Sequence, residues 1–81
     1  MWQVYILKCA DKTLYTGITN DLERRIKEHN KSELGAKYTR GRRPVKMVYF
    51  CESKNRSEAL KEEARIKKLA REEKIKLINS K

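Results

Sequence analysis

Two tyrosines near the start of the chain, Tyr5 and Tyr15, have a type and spacing that could support chemistry. Each lies in a run of aromatic and branched residues typical of a strand, and Asp11-Lys12 supplies a turn between the runs. The two rings share a face if the hairpin loop has three or five residues or contains a bulge, whereas a plain two-residue turn puts them on opposite faces. Gly17 lies on the face of Tyr15 and is expected to leave open space beside that ring. Taken alone, two tyrosines on paired strands are more often packing residues than catalytic ones.

The helix predicted after the hairpin has an unusual inward face. Four residues recur on that face at the spacing i, i+3, i+4 and i+7, namely Leu22, Arg25, Ile26 and His29. Arg24 points elsewhere and is expected to be solvated. A basic side chain turned towards a sheet loses its hydration unless a partner there compensates. Arg25 and His29 therefore either pack, with the arginine extending past Leu22 to water, or they belong to a site.

The last helical segment places one carboxylate in an apolar stripe. The stripe consists of Ala59, Glu63, Ile66 and Ala70, whereas Glu62 lies outside it. An i,i+4 ion pair with Lys67 is one explanation of Glu63. The other is that its oxygens bind a hard divalent cation.

Charge dominates the composition, because 21 Lys and Arg oppose 11 Asp and Glu and give a net charge of +10. Such an excess attracts polyanions, so we expect the partner to be nucleic acid and expect no binding to a membrane. The segment from Lys37 to Lys46 concentrates this charge around one aromatic ring. We predict that its cations neutralise phosphates and that its ring stacks on an exposed base, although an ordinary solvated loop would have the same composition. These residues are Lys37, Tyr38, Arg40, Arg42, Arg43 and Lys46.

Length and cysteine content exclude several classes of protein. The 81 residues fit a single domain, residues 1–81. Cys9 and Cys51 lie in apolar, strand-like runs, where a free cysteine behaves as a small hydrophobic residue. Together with the single histidine they lack the spacing of a metal finger. Neither a signal peptide nor a transmembrane span fits the sequence, so a cytoplasmic protein is expected.

Hydrophobic patterning predicts an α+β fold. Strands are expected at residues 2–9, 14–18 and 45–51. The basic segment 33–43 is expected to be a loop. The order ββαβαα then gives a small three-stranded antiparallel sheet flanked by helices.

Two capping boxes mark where the helices begin. Asn20 with Glu23 predicts a helix from about Asp21 to Lys31, and Asn55 with Glu58 opens the last helical segment. That segment continues close to the C-terminus, with a break predicted near Ala70-Arg71.

In their order and spacing these motifs resemble the GIY-YIG nuclease superfamily, and more narrowly its small stand-alone bacterial members. Val4-Tyr5-Ile6 stands where the first motif falls and Tyr15-Thr16-Gly17 where the second falls. Val4 replaces a glycine and Thr16 an isoleucine, whereas both tyrosines and the second glycine are retained. The resemblance extends over nearly the whole chain, through the Lys37-Tyr38-Thr39-Arg40-Gly41 segment to Glu63.

The resemblance implies a metal-dependent endonuclease that hydrolyses phosphodiester bonds in DNA, with structured or damaged DNA as the narrower expectation. Tyr5, Tyr15, Arg25 and His29 would be the catalytic residues, one tyrosine acting as general base. Glu63 would bind one Mg²⁺ or Mn²⁺ ion. Target choice in such proteins usually comes from an attached domain, so a partner protein could supply it here. The alternative is a module of the same fold that binds DNA, or RNA, with little or no cleavage. A protein-interaction adaptor would leave the charge unexplained.

Overall fold

The fold is a three-stranded antiparallel sheet flanked by helices, and the computed structural model describes residues 1–31 and 35–80. The central strand is the first one, because the strand order is β2-β1-β3. The predicted α+β class is confirmed. In chain order the elements are β1 (Trp2–Lys8), β2 (Leu14–Thr19), α1 (Leu22–Lys31), α2 (Lys37–Arg40), β3 (Lys46–Ser53), α3 (Arg56–Lys67) and α4 (Arg71–Asn79).

The hairpin register places both N-terminal tyrosines on one face of the sheet. Tyr5 lies opposite Gly17, and Tyr15 lies opposite Leu7. Residues 9–13 connect the strands, and Lys12 adopts a positive φ of 74° in the turn. The loop thus has an odd number of residues, as a shared face requires.

The alternation of side chains along β1 divides the core into two clusters, one on each face of the sheet. On the first face α3 covers the sheet, and the buried residues are Val4, Ile6, Tyr49, Ala59 and Ile66. On the second face α1 contributes Leu22 and Ile26 against Tyr5, Leu7, Cys9 and Val45. Cys9 and Cys51 are both free thiols, and they pack in different clusters.

The start of α1 differs from the prediction by one residue. The cap is Asp21, whose Oδ1 accepts the N–H of Arg24 at 3.2 Å, and the predicted cap at Asn20 is wrong. The reason is local. The Thr19 hydroxyl accepts the N–H of Asp21 at 3.0 Å, and this turn after β2 delays the helix.

The two C-terminal helices follow the prediction. Asn55 caps α3 by accepting the N–H of Glu58 at 2.9 Å. The break near Ala70 is also present, and there the Glu73 carboxylate accepts the N–H of Ala70 at 3.1 Å. None of the helices in the described part of the chain has the length and apolarity to cross a membrane.

The basic segment expected to be a loop contains a turn of helix, α2. Glu33 and Leu34 of that segment lie outside the described residues. Thr39 on α2 is fully buried. The chain just before α2 passes close to α1 at Gly35. A side chain there would not fit, because a Cβ at position 35 would lie 2.7 Å from the carbonyl oxygen of Glu28. The loop prediction failed because an apolar stripe cannot be recognised in a single turn.

The cap of α1 gives a direct test of this register. We expect Asp21→Ala to lower the free energy of unfolding by about 1 kcal/mol, because the N–H of Arg24 loses its acceptor. Asn20→Ala is the control and should change it by less than about 0.5 kcal/mol, since this side chain is exposed. Urea unfolding followed by circular dichroism measures both. The reverse ranking of the two variants would contradict the assignment.

Candidate active site

The centre of the candidate site is a buried hydrogen bond between Tyr5 and His29. The tyrosine oxygen lies 2.8 Å from Nε2 of the histidine. Tyr5 is 1% exposed and His29 is fully buried. The inward position predicted for His29 is confirmed. The bond joins the central strand to α1 in the middle of the second core cluster.

Gly17 provides the space for the Tyr5 hydroxyl. A Cβ at position 17 would lie 2.6 Å from that oxygen and 3.1 Å from Cε2 of Tyr15. The first distance is shorter than real Cβ contacts allow. The space expected beside Tyr15 is therefore not open, because the phenol of Tyr5 fills it.

Tyr15 and Tyr38 complete an aromatic cluster around the histidine. The ring of Tyr15 lies 6.5 Å from that of Tyr5 and 5.3 Å from that of His29. Tyr38 of α2 stacks on Tyr15 at 5.8 Å. We call these four residues, Tyr5, Tyr15, His29 and Tyr38, the aromatic cluster. These contacts are consistent with both interpretations of the tyrosines, as packing residues and as residues of a site.

Arg25 joins the cluster from the adjacent turn of α1. Its guanidinium donates a hydrogen bond to the Tyr5 oxygen. It also forms an ion pair with Glu28 at 3.0 Å. The side chain of Arg25 is 26% exposed, whereas that of Arg24 is 67% exposed. The predicted difference between the two arginines is confirmed.

Burial and charge set the protonation of the central pair. Burial raises the pKa of Tyr5 to about 12, against the opposing effect of the hydrogen bond from Arg25. Burial also lowers the pKa of His29 to about 4, and the positive charges of Arg25 and Arg43 act in the same direction. At neutral pH the tyrosine is consequently protonated and the histidine is neutral.

Glu63 lies on α3 with its side chain 18% exposed, and Lys67 Nζ lies 3.4 Å from its carboxylate. The expected i,i+4 pair therefore exists. The negative charge of Glu63 nevertheless interacts with the aromatic cluster, because it contributes to the raised pKa of Tyr5. Glu62 instead forms two hydrogen bonds to Arg65, at 2.8 Å and 2.7 Å.

A metal ion at this position would have Glu63 as its protein ligand. Within residues 1–31 and 35–80 there is no group of three or more His, Cys, Asp or Glu side chains that could hold an ion. One carboxylate, completed by water and by substrate phosphate oxygens, is a donor set that suits Mg²⁺. Glu63 fits that type of site. The described residues do not form a site in which protein side chains alone would surround the ion.

The cations of the basic segment divide into two groups. Lys37, Arg40 and Lys46 are exposed. Arg42 instead contacts the protein, through Asp11 Oδ2 at 2.9 Å and the ring of Tyr38 at 4.0 Å.

Arg43 is also held by the protein. Its guanidinium donates to the carbonyl oxygens of Glu28 and His29, at the end of α1. There it compensates the partial negative charge of the helix terminus. The nucleic-acid contacts predicted for Arg42 and Arg43 would compete with these internal bonds.

Thr39 is a polar residue of the site that sequence reasoning missed. Its Oγ1 lies 2.8 Å from Nδ1 of His29 and donates to the carbonyl oxygen of Ala36 at 2.9 Å. A threonine between basic residues gives no periodic signal. The only indication in the sequence is its place inside the matching Lys37–Gly41 segment.

Comparison with known proteins assigns the chain to a family. Residues 1–76 match the GIY-YIG catalytic domain, and the chain therefore belongs to the GIY-YIG family of nuclease domains. Similar proteins include a UPF0213 protein of Clostridium perfringens, 62% identical over 78 residues, which cover 96% of this chain and 83% of the relative. A UPF0213 protein of Syntrophus aciditrophicus is 56% identical over 75 residues, covering 93% of this chain and 86% of the relative.

The fold also resembles a solved structure. The solution NMR structure of a UPF0213 protein from Bacillus halodurans has a TM-score of 0.64 and 45% sequence identity to this chain. The match covers 100% of this chain and 86% of that one. The three-stranded sheet with flanking helices is thus shared with a relative in the same group.

Gly17 is a tightly packed backbone position of the site. We expect Gly17→Ala to displace the Tyr5 hydroxyl and to lower the free energy of unfolding by about 1–3 kcal/mol, as overpacking does. Gly41→Ala is the matched control, because a Cβ at position 41 meets no atom within 4 Å. Thermal unfolding compares the two variants. Equal stabilities would contradict the close contact at Gly17.

The lowered pKa of His29 predicts acid sensitivity. Between pH 6.5 and about 4 the unfolded chain takes up a proton that the folded histidine does not, so stability falls as the pH falls through this window. The total loss is roughly 3 kcal/mol. The pKa values of Asp11 and Glu62 are lowered by hydrogen bonds donated by Thr13 and Arg65 respectively, so their contributions to stability are also lost as the pH falls. The contribution of Glu62 begins to fall at the acid end of the same window.

His29→Gln is the control for this pH dependence, because glutamine keeps a polar side chain and does not titrate. Denaturant unfolding at several pH values between 4 and 7 measures both proteins. If the variant loses as much stability as the parent in that window, His29 is not the group responsible.

Proposed function

We propose that the protein is a cytoplasmic, metal-dependent endonuclease that hydrolyses phosphodiester bonds in DNA. The observation that carries the proposal is the Tyr5 hydroxyl, which is bonded at once to His29 and to Arg25. A buried packing tyrosine needs only one hydrogen-bond partner. A proton-transferring tyrosine needs both an acceptor for its proton and a nearby positive charge. Membership of the GIY-YIG family supports the same class of reaction.

Arg25 is the residue that would bind the scissile phosphate. Its side chain is partly exposed and already carries Glu28 as an anionic partner. A phosphodiester could replace that carboxylate, since a guanidinium donates two parallel hydrogen bonds to either group. The same side chain would then stabilise the charge that builds up on the phosphate oxygens during attack by water.

Tyr5 and His29 would transfer the proton of the attacking water. With the pKa of Tyr5 at about 12, free phenolate is scarce at neutral pH. A relay avoids it, because the water proton moves to the Tyr5 oxygen while the phenol proton moves to the histidine nitrogen 2.8 Å away. The neutral His29 can accept this proton, and the negative phosphate bound at Arg25 would raise its pKa.

Tyr15 would line the path of water to this relay. Tyr5 is 1% exposed, so water reaches its hydroxyl only when a neighbouring side chain shifts. The partly exposed Tyr15 and Arg25 are the neighbours closest to the surface. In this proposal Tyr15 positions the water or the phosphate, and Tyr5 acts as the general base.

Glu63 would hold one Mg²⁺ or Mn²⁺ ion. The chemistry supplied by such a bound ion is neutralisation of negative charge on the leaving oxygen. Glu63 would exchange its contact with Lys67 for this role, and Lys67 would return to solvent.

DNA would be held mainly by phosphate contacts. The net charge of +10 and the exposed Lys37, Arg40 and Lys46 support sequence-independent binding. Structured or damaged DNA, presented directly or by a partner protein, would then be the target.

A DNA- or RNA-binding module without cleavage is the second candidate. Two observations favour it, the pairing of Glu63 with Lys67 and the burial of Tyr5.

Single-turnover nicking of supercoiled DNA with Mg²⁺ or Mn²⁺ tests the enzyme. We expect Tyr5→Phe, Arg25→Ala and Glu63→Gln each to lower the rate by about 10²–10⁴-fold, because each removes a proton-transferring, anion-binding or metal-binding group. Arg24→Ala and Glu62→Gln are matched controls on the same two helices and should cleave at nearly the parent rate.

The assay separates the two candidates. Nicking that requires both the metal and Glu63 supports the endonuclease. Retention of DNA in a gel without nicking, under either metal, supports the binding module. Nicking that is insensitive to Glu63→Gln would refute the role of this carboxylate.

A further inference from the structure

Thr39 is the only partner described for the second ring nitrogen of His29 within residues 1–31 and 35–80. It is fully buried on α2, and its hydroxyl lies between Nδ1 of His29 and the carbonyl oxygen of Ala36. We propose that Thr39 is a positioning residue that fixes the tautomer of His29 and thereby makes Nε2 the proton acceptor for Tyr5. The catalytic part of this proposal rests on the proposed function, whereas the tautomer itself does not.

The direction of the bonds follows from the number of hydrogens. A hydroxyl has one proton, and that of Thr39 is donated to the carbonyl oxygen of Ala36 at 2.9 Å. Towards His29 the threonine oxygen can therefore only accept. The 2.8 Å contact with Nδ1 then requires the ring hydrogen to be on Nδ1. A neutral imidazole carries one such hydrogen, so Nε2 is left with a lone pair.

The other end of the ring agrees with this direction. Because Nε2 has no hydrogen, the 2.8 Å bond must be donated by the hydroxyl of Tyr5. The Tyr5 oxygen can then accept from Arg25, whose guanidinium only donates. Each member of the series Arg25, Tyr5, His29 and Thr39 thus donates one hydrogen to the next, and the series ends on the Ala36 carbonyl.

The opposite tautomer would break this series at two places. A hydrogen on Nε2 would leave the Tyr5 oxygen facing two donors, Arg25 and His29, and its own proton would have to turn away from both. Thr39 would have to donate to Nδ1 and leave its bond to Ala36. The carbonyl oxygen of Ala36 would keep the backbone N–H groups of Thr39 and Arg40, so the main cost is the unpaired proton of Tyr5. A buried donor without an acceptor is strongly unfavourable, and the site therefore selects the Nδ1–H form.

The chain provides a clean spectroscopic test, because His29 is its only histidine. Nitrogen-15 NMR of the free parent protein at pH 7 should show one protonated ring nitrogen, Nδ1, and one unprotonated nitrogen, Nε2. Thr39→Val has nearly the same shape but no acceptor, and it should shift the population towards Nε2–H. Thr39→Ser restores the hydroxyl and should restore the parent spectrum.

Two spectroscopic results would overturn the proposal. One is an Nε2–H form in the parent protein, and the other is an unchanged Nδ1–H form in Thr39→Val. If Thr39→Val does not fold, the parent spectrum and the Thr39→Ser spectrum still decide the tautomer.

The single-turnover cleavage rate then tests the consequence for catalysis. Thr39→Val should lower the rate by about 10–100-fold, as expected for loss of a group that orients a functional histidine, and Thr39→Ser should recover most of it. A shifted tautomer with an unchanged rate would overturn the positioning role. Failure of the parent protein to cleave would count against the proposed function alone, because the NMR measurements use the free protein and need no activity.

Discussion

The hydroxyl of Tyr5 is buried beneath α1, and the rest of the site depends on satisfying it there. A buried phenol must find hydrogen-bond partners, and Tyr5 finds them in His29 and Arg25. This fixes the rotation of α1 against the sheet. It also requires a residue without a side chain at Gly17, because a Cβ there would overlap the phenol. A single polar group thus links the central strand, the edge strand and the first helix.

The electrostatic state of the site follows from the same burial. The hydroxyl keeps its proton and the imidazole remains uncharged, because desolvation disfavours the ionised form of each. Arg25 remains charged beside them and is paired with the Glu28 carboxylate, which is about as exposed as Arg25 itself. The site at rest is consequently uncharged at its centre and holds the Arg25–Glu28 ion pair at its margin, so an anionic substrate would have to take the place of the Glu28 carboxylate.

Periodic features of the sequence were predictable, and local turns were not. Arg25, His29 and Glu63 could be selected because helical spacing separates them from Arg24 and Glu62, and a strand register could be argued from loop length. The cap at Asp21 was missed because the Thr19 hydroxyl organises the preceding turn. Thr39 was missed because a single helical turn is too short to show a periodic pattern. Its importance arises only from its contact with His29 of α1. Long-range hydrogen bonds of this kind are decided by tertiary packing.

The two internal contacts of Arg42, with Asp11 and with the Tyr38 ring, affect how binding to DNA would depend on salt. This guanidinium links the hairpin loop to α2 through Asp11 and the Tyr38 ring, and Arg43 is held at the end of α1. Cations already paired within the fold displace few counterions from a polyanion. The segment would therefore release fewer condensed ions on binding DNA than its composition suggests, and its affinity would decline less steeply as salt is added.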